Sequence, residues 1–227
     1  MHIFVRYMKI GIIVAMYKEL SRMKALLDEV HENEDGTIEG RIAGKDIVMC
    51  SSRVGKVNAA IATYELINRY HPDCVVNTGV AGGLCSELNP KDIIAGSEVV
   101  YHDVWCGTPN AYGQVQGFPE RFKADEGLLS RLNVRKGLIT SGDFFITEEA
   151  DERRILEHFP EALAVDMESG AIAQVCWMSK VPFVCIRVVS DVLGKDRESQ
   201  YSNFWAEMAD NSFNALKQII SDIYLVS

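Results

Sequence analysis

The stretch 165-VDMESGAIAQVC-176, followed after a short link by 181-VPFVCIRVVSD-191, decides how this chain folds. Its second half is a nearly unbroken apolar run of strand length, the signature of a β-strand buried on both faces. Its first half reads as a helix over 167–179. A helix feeding a buried strand is the building unit of an α/β sheet. Two acids interrupt the apolar pattern: Glu168 at the mouth of the helix, and Asp191 where the strand ends. Carboxylates rarely sit against an apolar run unless they are paired or used. In sheets of this kind ligands bind outside the carboxyl ends of the strands. Asp191 and Glu168 are therefore expected to face one pocket, with Arg187 able to pair with either.

Working outward, residues 9–16 (KIGIIVAM) read as a first buried strand. Leu20, Met23, Leu26, Leu27 and Val30 follow at helical spacing. Residues 37–43 and 46–52 alternate apolar and polar around Gly44-Lys45, which predicts a hairpin. Residues 55–70 read as a helix with Val57, Ala60, Ile61, Tyr64 and Ile67 on one stripe, closed by Pro72. A strand at 74–76 is expected to end in the glycine-rich turn Thr78-Gly79-Val80-Ala81-Gly82-Gly83. Strands follow at 93–101 and 137–141, separated in part by a 102–120 loop rich in Gly, Pro and aromatic residues. Residues 149–158 predict a helix. Residues 202–225 predict a closing amphipathic helix with Phe204, Met208, Leu216, Ile219 and Ile223 on its apolar face. The alternation predicts one α/β domain over 1–227: a central mixed sheet, its hairpin antiparallel, flanked by helices on both faces. Met8 is a candidate start, which would make residues 1–7 a dispensable extension.

Composition narrows the function. The 227 residues are 48% hydrophobic and 24% charged, ordinary for a globular protein. A net charge of −9 argues against a nucleic-acid footprint and against an anionic membrane surface. No apolar run reaches the ~18–20 residues that span a bilayer. The six cysteines form no CxxC pair and several lie in apolar runs, which reads as a reduced cytoplasmic protein with buried thiols. No Cys/His cluster has metal-ligand spacing. A dinucleotide fingerprint, a P-loop and a GxSxG elbow are all absent. His102-Asp103 is the one suggestive histidine pair, but neighbours along a strand point to opposite faces.

The remaining candidates each have a plain structural role as well. The 78–83 segment brings backbone close to a ligand, or is a tight turn. Glu19, at the carboxyl edge of the first strand, borders the pocket or is a first-turn glutamate favoured by the helix dipole. Asp191 and Glu168 would serve equally as turn or first-turn residues. Three carboxylates and one arginine at strand ends of one sheet favour a shared site.

At these residues the chain resembles the nucleoside phosphorylase and nucleosidase family, and within it the methylthioadenosine/S-adenosylhomocysteine nucleosidases. The resemblance rests on KIGIIVAMYKEL, VGKVNAA, VVNTGVAGGL, YHDV, YGQVQG, FKAD, GLITSGDFFI, AVDMESGAIAQVC and VPFVCIRVVSDV, in that order from Lys9 to Val192. It implies cleavage of an adenine nucleoside's N-glycosidic bond through an oxocarbenium-like transition state, without cofactor or metal. Asp191 would be the general acid at adenine N7, and Glu19 the carboxylate that deprotonates water. Glu168 would hold the ribose hydroxyls, Met167 would pack on the sugar, and Arg187 would orient Glu168 and the water network. Phe145 would stack on adenine beside the backbone of Ile146, and Val80, Ala81 and Gly82 would line the site. Tyr201 and Phe204 would contact an apolar 5′ group. The resemblance further implies a homodimer in which the loop after YHD reaches the neighbour's pocket, with Trp105 the candidate.

The choice between water and phosphate is also addressed by the residues. Asn77 and Val80 stand where phosphorylases resemble Arg and Thr or Ser, and Glu19 places negative charge where phosphate would approach. Two like charges ~4 Å apart repel by about 4 kcal/mol at an effective dielectric near 20. Water is the expected nucleophile. Val80 also departs from the Ser usual in the nucleosidases, which bears on substrate preference. A futalosine-type hydrolase, a phosphorylase and a catalytically silent nucleoside-binding protein are the alternatives.

Overall fold

The expected first strand is present as β1 (Lys9–Val14). Its side chains alternate between two cores: Ile10, Ile12 and Val14 join one apolar cluster, Ile13 the other. That alternation is the period-2 geometry of a strand covered on both faces. The computed structural model describes residues 8–192 and 196–223, without the side chains of 207–212. The suggested extension over 1–7 and Met208 of the closing helix therefore lie outside the described side chains.

The other elements are α1 (Tyr17–Lys24), β2 (Asp28–Glu32), β3 (Ile38–Ile42), β4 (Lys45–Ser51), α2 (Lys56–Tyr70), β5 (Cys74–Gly83), β6 (Ile93–Tyr101), β7 (Phe122–Lys123), α3 (Glu126–Ser130), β8 (Arg135–Ser141), α4 (Glu149–His158), β9 (Ala162–Asp166), α5 (Ser169–Ser179), β10 (Phe183–Asp191), α6 (Arg197–Asn203) and α7 (Ala209–Ser221), with a π-helical turn at Phe204–Met208. No described helix is long and apolar enough to cross a membrane.

The sheet runs β2-β3-β4-β1-β5-β10-β6-β8-β9 and then returns to β5. The β1–β4, β1–β5, β5–β10, β6–β8 and β8–β9 pairs are parallel. The β10–β6 pair and the hairpins are antiparallel, so the sheet is mixed as expected. The return is made at the far end of β5, where Gly82 pairs with Val165 and Gly83 with Ala164. A register shift between Val189 and Asp191 lets β10 diverge there while Asp191 stays opposite Gly82. Such a bulge bends a strand and re-aims its side chains. One face of the sheet carries α1 and α7, whose Leu20, Met23, Phe213, Leu216 and Ile220 pack on Ile10, Ile12 and Val76. The other face carries α2 and α5, through Ala59, Leu66, Ile67, Ala171, Ile172 and Cys176.

Five readings are corrected. The first helix stops at Lys24, and Val30 lies on β2, an edge strand exposed along its length. Residues 78–83 continue β5 rather than turning. Only Gly79 takes a backbone conformation that favours glycine, at φ 146°. The buried face of α2 is Ala59, Thr63, Leu66 and Ile67, so Val57, Ile61 and Tyr64 of the expected stripe point to solvent. The helix expected from 167 begins at Ser169, with Glu168 as its N-cap residue. The closing helix is three segments and starts at Arg197, before the expected 202.

Candidate active site

Where β5, β9 and β10 converge, their ends enclose a cleft of about 370 Å³. Of the expected residues, Glu19, Val80, Ala81, Gly82, Phe145, Ile146, Met167, Glu168, Asp191 and Tyr201 line it. Arg187, Phe204 and Trp105 do not. Met16, Phe144, Asp166, Ser190 and Arg197 complete the wall among others.

Glu19 serves both roles offered for it. It is in the first turn of α1, and it is a buried wall of the cleft. Its Oε2 accepts from the backbone N–H of Ala15 (3.0 Å) and Met16 (2.8 Å), and its Oε1 from that of Val80 (3.1 Å). Burial pushes its pKa up, while these N–H groups and the Arg187 charge pull the other way. Glycine at 79 leaves room for this carboxylate, because a Cβ there would lie 2.7 Å from Glu19 Oε1.

Glu168 stands at the N-cap position of α5 without capping it: its Oε1 instead accepts from the Gly55 N–H at 2.9 Å, where α2 begins. Burial first, and then the neighbouring Asp166 charge, push its pKa to about 7. The Gly55 hydrogen bond and Arg187 only partly offset this. Asp166 carries a role that the sequence reading missed. Its Oδ1 accepts from Ser169 N (3.1 Å) and Ser169 Oγ (2.9 Å), starting α5. Its Oδ2 accepts from Arg187 Nε (2.9 Å) and Nη2 (2.8 Å).

Arg187 was expected to pair with Asp191 or Glu168, and it pairs with neither: its partner is Asp166. It is 2% exposed, bound to Asp166 and to Asn77 Oδ1, and acts behind the wall of the cleft. Asn77 likewise does not line the cleft: its amide donates to Ile13 O at 3.0 Å and its oxygen is taken by Arg187. The reason is register. Arg187 and Asn77 lie on the adjacent strands β10 and β5, two residues out of step, so the long guanidinium spans the offset.

Asp191 is buried, with Oδ2 accepting from Ser190 Oγ and Oδ1 from Arg197 Nη1, each at 2.6 Å. Arg197 also donates to Glu152 of α4 and to Gly83 O at 2.8 Å. Neither Arg197 nor Glu152 was singled out in the sequence. The 149–158 helix (EADERRILEH) is so rich in charge that Glu152 does not stand out in it, and nothing local links it to residue 197.

The aromatic edge is Phe145, half exposed and in edge contact with Tyr201 at 5.7 Å between ring centres. Phe204 is a correction: it is fully buried in the core beside α1 and leaves the cleft edge to Tyr201. Trp105 is exposed and stacks on Tyr112 at 6.1 Å, away from its own chain's cleft and not in the core. His102 is buried, with its pKa lowered chiefly by burial, and it does not touch the cleft. Its neighbour Asp103 instead accepts from Lys56 Nζ at 2.7 Å.

Chemically, the cleft offers inward carboxylates, a half-exposed aromatic ring, an apolar wall and, among the described residues, a single lining cation, which is already paired to two acids. It suits an uncharged, flat, hydroxylated ligand better than a multiply charged anion.

Comparison with known proteins agrees. A family model described as the phosphorylase superfamily matches residues 9–223. A 5′-methylthioadenosine/S-adenosylhomocysteine nucleosidase of Geobacillus sp. (strain WCH70) is 40% identical, with 95% of this chain and 99% of that protein covered. Among solved structures, the nucleosidase of that name from Colwellia psychrerythraea 34H, in complex with adenine, superposes with a TM-score of 0.90 at 36% identity, covering 99% of this chain and 100% of that one. The one from Neisseria meningitidis, in complex with methylthio-immucillin-A, gives 0.87 at 35% identity over 95% of this chain and 99% of that one. With a full-length match in sequence and the same sheet in three dimensions, this chain belongs to the phosphorylase superfamily.

Proposed function

We propose that the chain hydrolyses the N-glycosidic bond of 5′-methylthioadenosine and S-adenosylhomocysteine, releasing adenine and the 5′-thio-ribose. The observation that carries this is the convergence of Glu19, Glu168 and Asp191 on one cleft, each held by named hydrogen bonds. Relatives at 35–40% identity bear that name, and one of them holds adenine.

The roles divide by position. Adenine is a poor leaving group until N7 is protonated, and Asp191 is the acid assigned to that proton. As the C1′–N9 bond lengthens, positive charge grows on the ribose. Glu168 holds the ribose hydroxyls and, when ionised, opposes that charge. A pKa of about 7 keeps both of its protonation states accessible near neutrality. Water attacks C1′ and gives its proton to Glu19, whose raised pKa suits a base. Met167 packs on the sugar, and Phe145 stacks on the base beside Ile146. Tyr201 closes the 5′ end. This division of labour between carboxylates parallels glycoside hydrolysis.

Phosphorolysis fits less well. Among the described lining residues the one cation, Arg197, is committed to Asp191 and Glu152, and Arg187 behind the wall is committed to Asp166. An entering phosphate would meet Glu19 with no free cation among the described lining residues. The test is adenine release from both nucleosides, with and without phosphate. Phosphate-independent release is expected. Ribose-1-phosphate formation would favour a phosphorylase, and tight binding without product a silent binder.

We further place the chain in the cytoplasm as a homodimer. Val57, Ile61 and Tyr64 leave an apolar stripe on α2, and Trp105, Trp177 and Met178 are also exposed. A second copy covering α2 would bury that stripe, and Trp105 would be the residue offered to the neighbour's cleft.

A further inference from the structure

The outer edge of the cleft carries a cation that the reaction does not use. Lys18 lies between Tyr17 and Glu19 in the first turn of α1, directly after the strand that ends at the cleft. Its ammonium donates to Tyr201 Oη at 3.2 Å and stands 3.8 Å from the centre of the Trp205 ring and 4.8 Å from that of Tyr201. Two aromatic faces thus hold a flexible side chain in one place. Tyr201 lines the cleft, and its hydroxyl lies 3.5 Å from the sulfur of Met16, another lining residue. Among the described residues, no carboxylate is within ion-pair distance of Lys18. The adjacent Glu19 turns inward to three backbone N–H groups. Arg22, one turn on, adds a second positive charge 5.2 Å from the Trp205 ring. Partial burial lowers the Lys18 pKa, helped by Arg22 and opposed by Glu19. A docked anion would reverse that tendency.

We propose that Lys18, steadied by Trp205 and Tyr201, is a binding site for a carboxylate on the 5′ substituent of the substrate. This rests on the nucleosidase reading above and extends it to the substrate's tail. A methylthio group ends at the apolar edge of the cleft and cannot use the cation. A homocysteine tail continues past the sulfur through two methylenes to its α-carbon, so its carboxylate extends about 5 Å further. That reach spans the gap between the Tyr201 ring and an ammonium bound to its hydroxyl. The site therefore favours 5′-thioadenosines whose tail ends in a carboxylate, as the zwitterionic homocysteine tail does, over those with a short neutral one.

The test compares kcat/KM for S-adenosylhomocysteine with that for methylthioadenosine in the unaltered chain, Lys18→Met and Lys18→Glu. An ion pair in a partly exposed position supports a decrease of about 5-fold in that ratio for Lys18→Met, with a larger decrease for Lys18→Glu. In the unaltered chain the ratio should decrease as salt is added. Equal losses on both substrates, or an unchanged ratio in both variants, would overturn the proposal. Release of adenine from neither substrate by the unaltered chain would instead remove the nucleosidase reading beneath it.

Discussion

Asp191 accepts from a hydroxyl and a guanidinium while buried, so its orientation is fixed before any substrate enters. Replacing it with Asn keeps the shape and removes the acid. We expect Asp191→Asn to lower kcat for adenine release by about 10²–10⁴-fold while leaving adenine binding measurable by calorimetry. Near-normal turnover would refute the assignment. Glu168 offers a test through stability. Its folded pKa, about 7, lies above the ordinary glutamate value of 4.5 because burial disfavours its charge. Between those two values the folded chain holds a proton that the unfolded chain has lost. This contribution is therefore full below pH ~4.5, declines as pH rises, and is gone above ~7, an effect of about 3 kcal/mol. Glu168→Gln should flatten urea-unfolding stability across that window and raise it at pH 8 relative to the unaltered chain. An identical pH dependence in both would contradict the raised pKa.

At the scale of elements, Arg197 ties the start of α6 to α4, to the end of β5, and to the end of β10. Arg197→Met would leave Glu152 and Asp191 buried without their cation, at a cost of about 3–5 kcal/mol in urea unfolding. A loss below 1 kcal/mol would show that the two acids are relieved in another way. This tie also marks where sequence reading stops. β1, α2 and β10 were legible because periodicity is local: apolar runs bounded by Gly, Pro or charge. β2 was not, because DEVHE is an exposed edge strand, protected by charge rather than defined by an apolar face. β9 was not, because its five-residue run ALAVD is too short to tell from a buried helix segment by pattern alone. Glu19, Glu168 and Asp191 could be found from their positions at strand ends. The partners of Arg187 and Arg197 could not, since Asp166 and Glu152 reach them only through the closed sheet.

At the scale of the whole molecule, the sheet uses both faces of its central strands, yet α2 still shows apolar side chains to solvent. Its inward face is built from Ala59, Thr63, Leu66 and Ile67, and its outward stripe from Val57, Ile61 and Tyr64. A helix apolar on two sides is accounted for if a second molecule takes the outer one. Ile61→Asp should convert a sedimenting dimer into a monomer without unfolding it. An unaltered chain that sediments as a monomer would remove the dimer proposal. The closure of the sheet has a last consequence. Parallel ladders of four to eight residue pairs join β5 to β1 and β10, and β6 to β8, but the β5–β9 join is two pairs long, Gly82–Val165 and Gly83–Ala164. A hoop yields first at its shortest overlap, and here that overlap borders the cleft. The backbone on which base and sugar would be held is thus also the place where the molecule can breathe at least cost, so that a tightly held ligand would act as the clasp of its own ring.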